Sequence, residues 1–316
     1  MDVSVIIVNY NTISLLVDAI DSVFEKTEGV EYEIIVVDNA SSDNSKNILA
    51  DKYGDKITYL ALPENIGFGR ANNEAAKIAK GRNLFFLNPD TILLNNAVKI
   101  LSDYLDNNHR VGCCGGNLYD TDGKPTHSFD RYFTPLLKYF INQLFYGIFS
   151  KIFFRKNIHY NYLYKPLKVK VIIGADLMIK KKLFNKLHGF DPDFFMYHEE
   201  AELEYRIIKE GYKVFNVPHA KIIHLEGKSF SNNSDKINKI VISYKIFLKK
   251  TTNQVTLFII YILIYFLIIS RIIVFSILQK NEKIITWTRR YKTYIEKKDI
   301  IDSIYEYIRS CFIEIK

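Results

Sequence analysis

Residues 3–12 read VSVIIVNYNT, and this run decides how the rest of the chain is parsed. From Val3 to Val8 only Ser4 is polar, which is the composition of a strand buried on both faces. Such strands belong to parallel sheets covered by crossover helices, because a half-solvated strand alternates instead. The polar turn NYNT then gives way to Leu16, Ile20, Val23 and Phe24 at helical spacing. The same alternation recurs three times. EIIVV (33–37) ends in DNASSDNS, where Ser42 or Asp43 is expected to cap a helix running to about Tyr53. ITYLAL (57–62) leads to PENIGFGRANN, whose second half opens a helix through Ala79, and NLFFL (83–87) stops at NPDT.

Four strand–helix alternations within the first hundred residues predict an α/β fold with a mostly parallel, Rossmann-like sheet between helices. Ligands of such sheets bind outside the carboxyl ends of the strands. Asn9–Asn11, Asp38–Ser42, Asn65–Arg70 and Asn88–Thr91 each follow a strand, so all four clusters are expected on one rim. A helix at about 95–108, strands at 111–116 and near 169–179, a helix holding HEEAELEYR (198–206), and KVFNVP and AKIIHL complete the globular part.

The 316 residues are 48% hydrophobic and 25% charged, a folded composition rather than a disordered one. The net charge of +8 points to an anionic partner: a membrane surface, a nucleic acid or a phosphorylated substrate. Basic residues cluster around hydrophobic runs rather than forming a stripe, which argues against nucleic acid. Cys113 and Cys114 are adjacent; strand neighbours point to opposite faces, so the pair reads as two small apolar residues. No basic leader precedes the first strand, so a reduced, cytoplasmic setting is expected.

Pro89 ends the fourth strand and leaves Asn88 and Asp90 in an Asn-x-Asp spacing. That pair suits a hard divalent cation shared with diphosphate oxygens, although the same residues are turn formers. NIGFGRANN lacks the third glycine of a dinucleotide loop and does not leave a strand directly, which argues against a nicotinamide site. Its asparagines and Arg70, at a helix start, still suit a phosphate or ribose. His224 ends an apolar strand and is read either as a hydrogen-bonding residue or as a metal ligand. In HEEAELEYR, Glu202 and Arg206 are i,i+4 partners and Glu204 is expected to face solvent. Glu200, Leu203 and Ile207 share an apolar stripe, which aims Glu200 into a cleft, and Glu199 suits a helix start.

VSVIIVNYN, VVDNASSD, ENIGFGRANN, FLNPDT, GADLMI, GFDPDFFMYHEEAEL and IIHLEGKS occur in this order. Together, over roughly residues 3–230, they resemble the inverting family 2 glycosyltransferases of the GT-A fold, particularly a bacterial rhamnosyltransferase-like branch. The resemblance implies that Val8, Tyr10, Asn11 and Asp38 hold the base and ribose of a nucleotide-sugar donor. Asn65, Gly69, Arg70 and Asn72 would line the nucleotide-sugar cleft. Asp90 would bind Mg²⁺ or Mn²⁺ with His224 as second ligand, in a motif whose first aspartate is Asn88 here. Glu199 and Glu200 fall on the family's Glu-Asp pair, with Glu200 in the general-base position, one methylene longer than the usual aspartate. The implied donor is dTDP-rhamnose, with a UDP- or GDP-hexose, or a catalytically weak nucleotide-binding partner of a membrane assembly, as alternatives.

The remainder is basic and apolar. Residues 255–278 hold sixteen uncharged residues before Arg271, long enough to cross a bilayer or lie in its interface. Residues 132–154 carry Leu137, Phe140, Leu144 and Ile148 at helical spacing and read as an interfacial anchor. The expected organisation is therefore a GT-A domain over 1–235, with a nucleotide-binding half (1–118) and an acceptor half (119–235). Residues 236–316 follow as a helical, membrane-associating appendage. A glycan or polyprenyl-linked acceptor at the cytoplasmic face of the cell membrane fits that layout.

Overall fold

The computed structural model describes residues 1–133, 159–225 and 233–277, together with residue 288. The chain divides into two units, Met1–Phe133 with Asn157–Lys236, and Thr134–Lys156 with Ile237–Lys316. The anchor segment expected at 132–154 lies almost wholly outside the described residues.

In the first unit, strands and helices alternate as the apolar runs require: β1 (Val3–Asn9), α1 (Ile13–Lys26), β2 (Tyr32–Asp38), α2 (Ser45–Tyr53), β3 (Thr58–Ala61), α3 (Phe68–Ile78) and β4 (Asn83–Leu87). After these come β5 (Thr91–Leu93), α4 (Ala97–Asn107), β6 (Val111–Tyr119), β7 (Phe129–Asp130), β8 (Leu167–Val169), β9 (Val171–Ile172) and β10 (Asp176–Lys180). Helices α5 (Lys181–Lys186) and α6 (Glu199–Lys209) and strand β11 (Lys213–His224) complete the unit.

Among the described residues the main sheet has nine strands, in the order β3-β2-β1-β4-β10-β6-β11-β5, with β8 also on β11. β1 to β4 run parallel, as the buried β-branched runs predict. β10 is antiparallel to β4 and β6, and β5 and β8 are antiparallel to β11, so the second half is mixed. Alternate residues feed two cores. Val3, Val5, Ile7, Ile34, Val36 and Phe85 pack against α1, α2 and α4. Ile6, Ile35, Val37, Leu84 and Phe86 pack against α3, α5 and α6. Cys114 joins the first core and Cys113 the second, both as free thiols, which is the strand alternation expected of that pair.

The N-terminus of α2 differs from expectation. Its N-cap is Asn44, in the left-handed region and without a side-chain cap bond. Asp43 instead accepts the Ile13 N–H at 3.0 Å and so ties the α1 start to the loop after β2.

The second unit is described through α7 (Asn233–Thr251), whose first residues belong to the first unit, and α8 (Gln254–Ile277). Leu248, Leu257, Ile260 and Tyr261 form a buried cluster at their junction. Gln254–Val274 is long and apolar enough to cross a membrane, with 21 residues at mean hydropathy 2.7.

Phe86 is the hub of the face on which the site is built, its ring centroid 5.1 Å from that of Phe184 and 4.9 Å from that of Phe190. Phe86→Ala leaves a ring-sized void between β4, α5 and the loop after it. The expected loss, read from chemical denaturation, is about 3–5 kcal/mol.

Candidate active site

Parallel pairing carries the sequence clusters to one rim. Asn9 and Asp38 end their strands in register, and the Asn39 N–H extends the ladder to the Asn9 carbonyl at 2.9 Å. The Asn9 amide donates to Ser41 and Ser45, at 3.0 and 2.8 Å. Asp38 is buried, accepting the Ser41 N–H at 3.1 Å and the Tyr59 hydroxyl. Val8 is buried beside it, Tyr10 is half exposed at 49%, and Asn11 accepts the Ser42 N–H at 2.7 Å. Tyr10 and Asn11 are thus exposed beside the buried, hydrogen-bonded Asn9 and Asp38.

Asn39 connects this pocket to α3: its amide donates to Asn65 at 2.9 Å and its oxygen accepts the Ile66 N–H at 3.0 Å. Gly67 precedes α3 at φ +88°, and a Cβ there would lie 2.3 Å from the Phe195 carbonyl oxygen. That carbonyl accepts the Phe68 N–H at 2.9 Å, so the α3 start is bonded to the loop that delivers Glu199 and Glu200. Gly69 is buried against Phe190 and Glu199. The other two residues expected to line the cleft, Arg70 and Asn72, each donate to a backbone carbonyl. Arg70 donates to the Pro192 carbonyl at 2.7 Å and borders a surface cavity of about 720 Å³ with Lys77, Lys181 and His188. Asn72 is 1% exposed and donates back to the Phe68 carbonyl at 3.1 Å.

Asp90 and His224 meet because β5 and β11 pair antiparallel, with Thr91 opposite His224. The Leu225 N–H donates to the Asp90 carbonyl at 2.9 Å, and the Asn88 N–H to Ala175 at 3.0 Å. His224 Nε2 then stands 3.4 Å from Asp90 Oδ1, with both side chains nearly dry. A carboxylate and an imidazole at that separation fit a shared divalent ion that keeps further positions for water and diphosphate oxygens. Beneath them Asp176 is fully buried and bonded to the Gly116 N–H, and burial pushes its carboxyl up to about 7.

Tyr197 and His198 are both left-handed, at φ 71° and 64°, before α6 begins. Strain of this kind persists only where surrounding bonds over-determine the backbone. Here the flanking backbone is bonded on both sides, the Phe195 carbonyl by the Phe68 N–H at 2.9 Å and the His198 carbonyl by the Glu202 N–H at 3.0 Å. Further along α6, Arg206 holds Glu202 through Nε at 2.8 Å and reaches the Leu187 and Gly189 carbonyls with its two amino groups. Glu202 and Arg206 are therefore the pair the spacing predicted, and they anchor the 187–189 turn.

Glu199 is buried and Oε2 lacks a hydrogen-bond partner among the described residues. Glu200 is half-buried, and a Cβ on Gly174 would touch its carboxyl carbon at 3.5 Å, so that glycine leaves room beside the carboxylate. Burial raises both carboxyls above their ordinary range, and the Glu200 charge raises Glu199 further. Burial, then Glu199, Asp90 and Glu200, push the Tyr197 phenol up to about 12, which places it within the field of all three carboxylates. Burial also holds His198 down to about 4, so its ring is neutral near pH 7.

Glu204 overturns the expectation of a solvated residue. It is 0% exposed, accepts the Ile172 N–H at 2.9 Å, and its other oxygen has no partner among the described residues. The apolar stripe of α6 explains this: position 204 is i+4 from Glu200 and turns inward with Leu203 and Ile207.

The sequence profile of glycosyl transferase family 2 matches residues 4–205. The chain belongs to that family. A glycosyltransferase of Rickettsia typhi is 30% identical over 260 residues, covering 80% of this chain and 73% of the relative. The dTDP-rhamnosyl transferase RfbF of Shigella flexneri is 26% identical over 197 residues, covering 61% of this chain and 60% of its own. Among solved structures, GalNAc-T7 with UDP, GalNAc and Mn²⁺ superposes at TM-score 0.57 and 20% identity, covering 79% of this chain and 48% of its own. The mannosyltransferase PcManGT of Pyrobaculum calidifontis, with GDP-Man and Mn²⁺, superposes at 0.54 and 16%, covering 79% and 65%. The fold is GT-A, and this family 2 glycosyltransferase is a transferase with a curled mixed sheet between helices.

Sequence reasoning missed Asn39, Tyr59, Asp176 and Tyr197. Tyr59 had a signal: in a parallel register β3 must sit beside β2, which ends in Asp38.

The folded chain holds the Glu204 proton to a higher pH than the unfolded chain does. Stability therefore falls as pH rises from the ordinary carboxylate range toward the raised folded value. Glu204→Gln keeps the acceptor for Ile172 and cannot ionise. Its melting temperature should fall less than that of the unmodified protein between about pH 5 and pH 8.

Proposed function

We propose that this glycosyltransferase moves rhamnose from dTDP-rhamnose to a hydroxyl of a glycan or polyprenyl-linked acceptor, inverting the anomeric centre. The observation that carries the reading is Glu200, a half-buried carboxylate of raised pKa beside Gly174, in the same electrostatic neighbourhood as Asp90. A carboxylate of raised pKa is a better match for a hydroxyl proton at neutral pH, while still ionised in part. Asp38, Asn11 and Tyr10 would hold base and ribose, Asn65 and Gly69 the cleft wall, and Asn88 the edge of the diphosphate. The resemblance to RfbF, a dTDP-rhamnosyl transferase by name, supports the donor.

In this reading Glu200 accepts the acceptor hydroxyl's proton as that oxygen attacks the anomeric carbon. The C–O bond to the diphosphate breaks on the opposite face, in a single displacement. Asp90 and His224 would hold Mg²⁺ or Mn²⁺, which supplies charge neutralisation for the departing diphosphate. Burial and the Glu200 charge both favour the protonated form of Glu199, which limits the negative charge beside the base.

Glu200→Gln should lower the transfer rate by about 10²–10⁴-fold while leaving donor affinity within about twofold. Radiolabelled transfer and nucleotide-sugar calorimetry measure the two. Full activity in Glu200→Gln rejects the base assignment. Donor binding without transfer by the unmodified protein favours instead the weak nucleotide-binding partner that Asn88 and Glu200 suggest. Turnover of a UDP- or GDP-hexose in preference to dTDP-rhamnose rejects the donor.

The apolar helix α8 and the charge of +8 support a location at the cytoplasmic face of the membrane. On fractionation the full chain should sediment with membranes. Resistance to carbonate washing indicates a spanning helix, release indicates an interfacial one, and a fully soluble chain that binds no anionic vesicles rejects the location.

A further inference from the structure

Away from the Asp90–His224 pair, three metal-competent side chains converge on the strand pair β7–β9. His127, Asp130 and His159 each offer a ligand atom, and these atoms all lie within 4.8 Å of one another. His127 Nε2 is 3.1 Å and His159 Nδ1 2.8 Å from the same oxygen, Asp130 Oδ1. The two rings stack at 4.5 Å between centroids, and His159 Nδ1 also lies 3.2 Å from the Phe129 carbonyl. We propose that His127, Asp130 and His159 form a second metal site, for a borderline divalent cation of the Zn²⁺ class.

The geometry is close to what such an ion needs. Bonds of about 2.0–2.2 Å in a tetrahedron hold neighbouring donors roughly 3.3–3.5 Å apart, so the two nitrogen–oxygen separations, 3.1 and 2.8 Å, have to open by well under 1 Å, within the side-chain freedom of half-exposed rings. Two imidazoles and one carboxylate select a zinc-like ion over Mg²⁺, which prefers oxygen. Half-exposure of the His127 side chain, at 42%, leaves a fourth position to water.

The position gives the site a purpose. Asp130 lies just before the chain leaves the first unit at Phe133, and His159 just after it returns at Asn157. An ion there clips the exit to the return, independently of residues 134–156. The same clip stands within electrostatic reach of the start of α6, since Asp130 acts on Glu200 and His198. The proposal does not depend on which sugar is transferred.

The test is metal binding to the full chain carrying Asp90→Asn and His224→Ala, which removes the other pair as a competitor. After chelator treatment, Co²⁺ absorption and Zn²⁺ calorimetry should show one ion per chain. Adding His127→Ala or His159→Ala should weaken binding by more than about tenfold, and His127→Cys should retain it with a thiolate-to-Co²⁺ absorption band. Circular dichroism confirms that each variant is folded. The absence of stoichiometric binding, or binding unchanged by both alanine variants, overturns the proposal.

Discussion

The antiparallel pairing of the three-residue strand β5 with the end of β11 is the constraint on which the site depends. It brings two segments more than a hundred residues apart into register at Thr91 and His224. Asp90, one residue before that register, thereby faces the imidazole across 3.4 Å. Neither residue could choose the other by local preference. The ladder chooses for them, and its position is fixed in turn because β11 lies parallel to β6 and β6 is held by β10. A slip of one residue between β5 and β11 would part the two side chains, because successive strand residues point to opposite faces.

A second constraint is electrostatic. Glu199, Glu204 and Asp176 are buried carboxyl groups whose desolvation favours the protonated form. They cost less as neutral groups than as charges; Glu200 differs from them in place, being half-buried beside the room that Gly174 leaves for an incoming hydroxyl. Glu202 is the counter-example: equally buried, it is matched by Arg206, and the pair spends its charge on holding the 187–189 turn. One helix thus carries four glutamates with distinct environments, sorted by angle around its axis.

The parallel half of the fold was legible because buried β-branched runs and helical spacing both leave strong local patterns. The rim follows from topology alone, because Asn9, Asp38, Asn65 and Asp90 each lie at or just past the carboxyl end of a strand. The mixed half was not legible: β5, β8 and β9 have three, three and two residues, too short for any periodicity. Glu204 was misread although the signal was present, since an inward stripe at 200, 203 and 207 includes 204. Arg70 reads as a phosphate ligand by its place at a helix start, and its Nε–H is bonded to the Pro192 carbonyl. His127, Asp130 and His159 have no local signature, because the third lies 29 positions beyond the second.

The central claim is that Asp90 and His224 act as one unit on the donor diphosphate. A double-mutant cycle on dTDP-sugar affinity with Mn²⁺ present, comparing Asp90→Asn, His224→Ala and both together, tests it most directly. The account predicts strong coupling: either single change removes most of the Mn²⁺-dependent affinity, and the second adds little. Additive losses, or a donor affinity indifferent to Mn²⁺ in the unmodified protein, would contradict it.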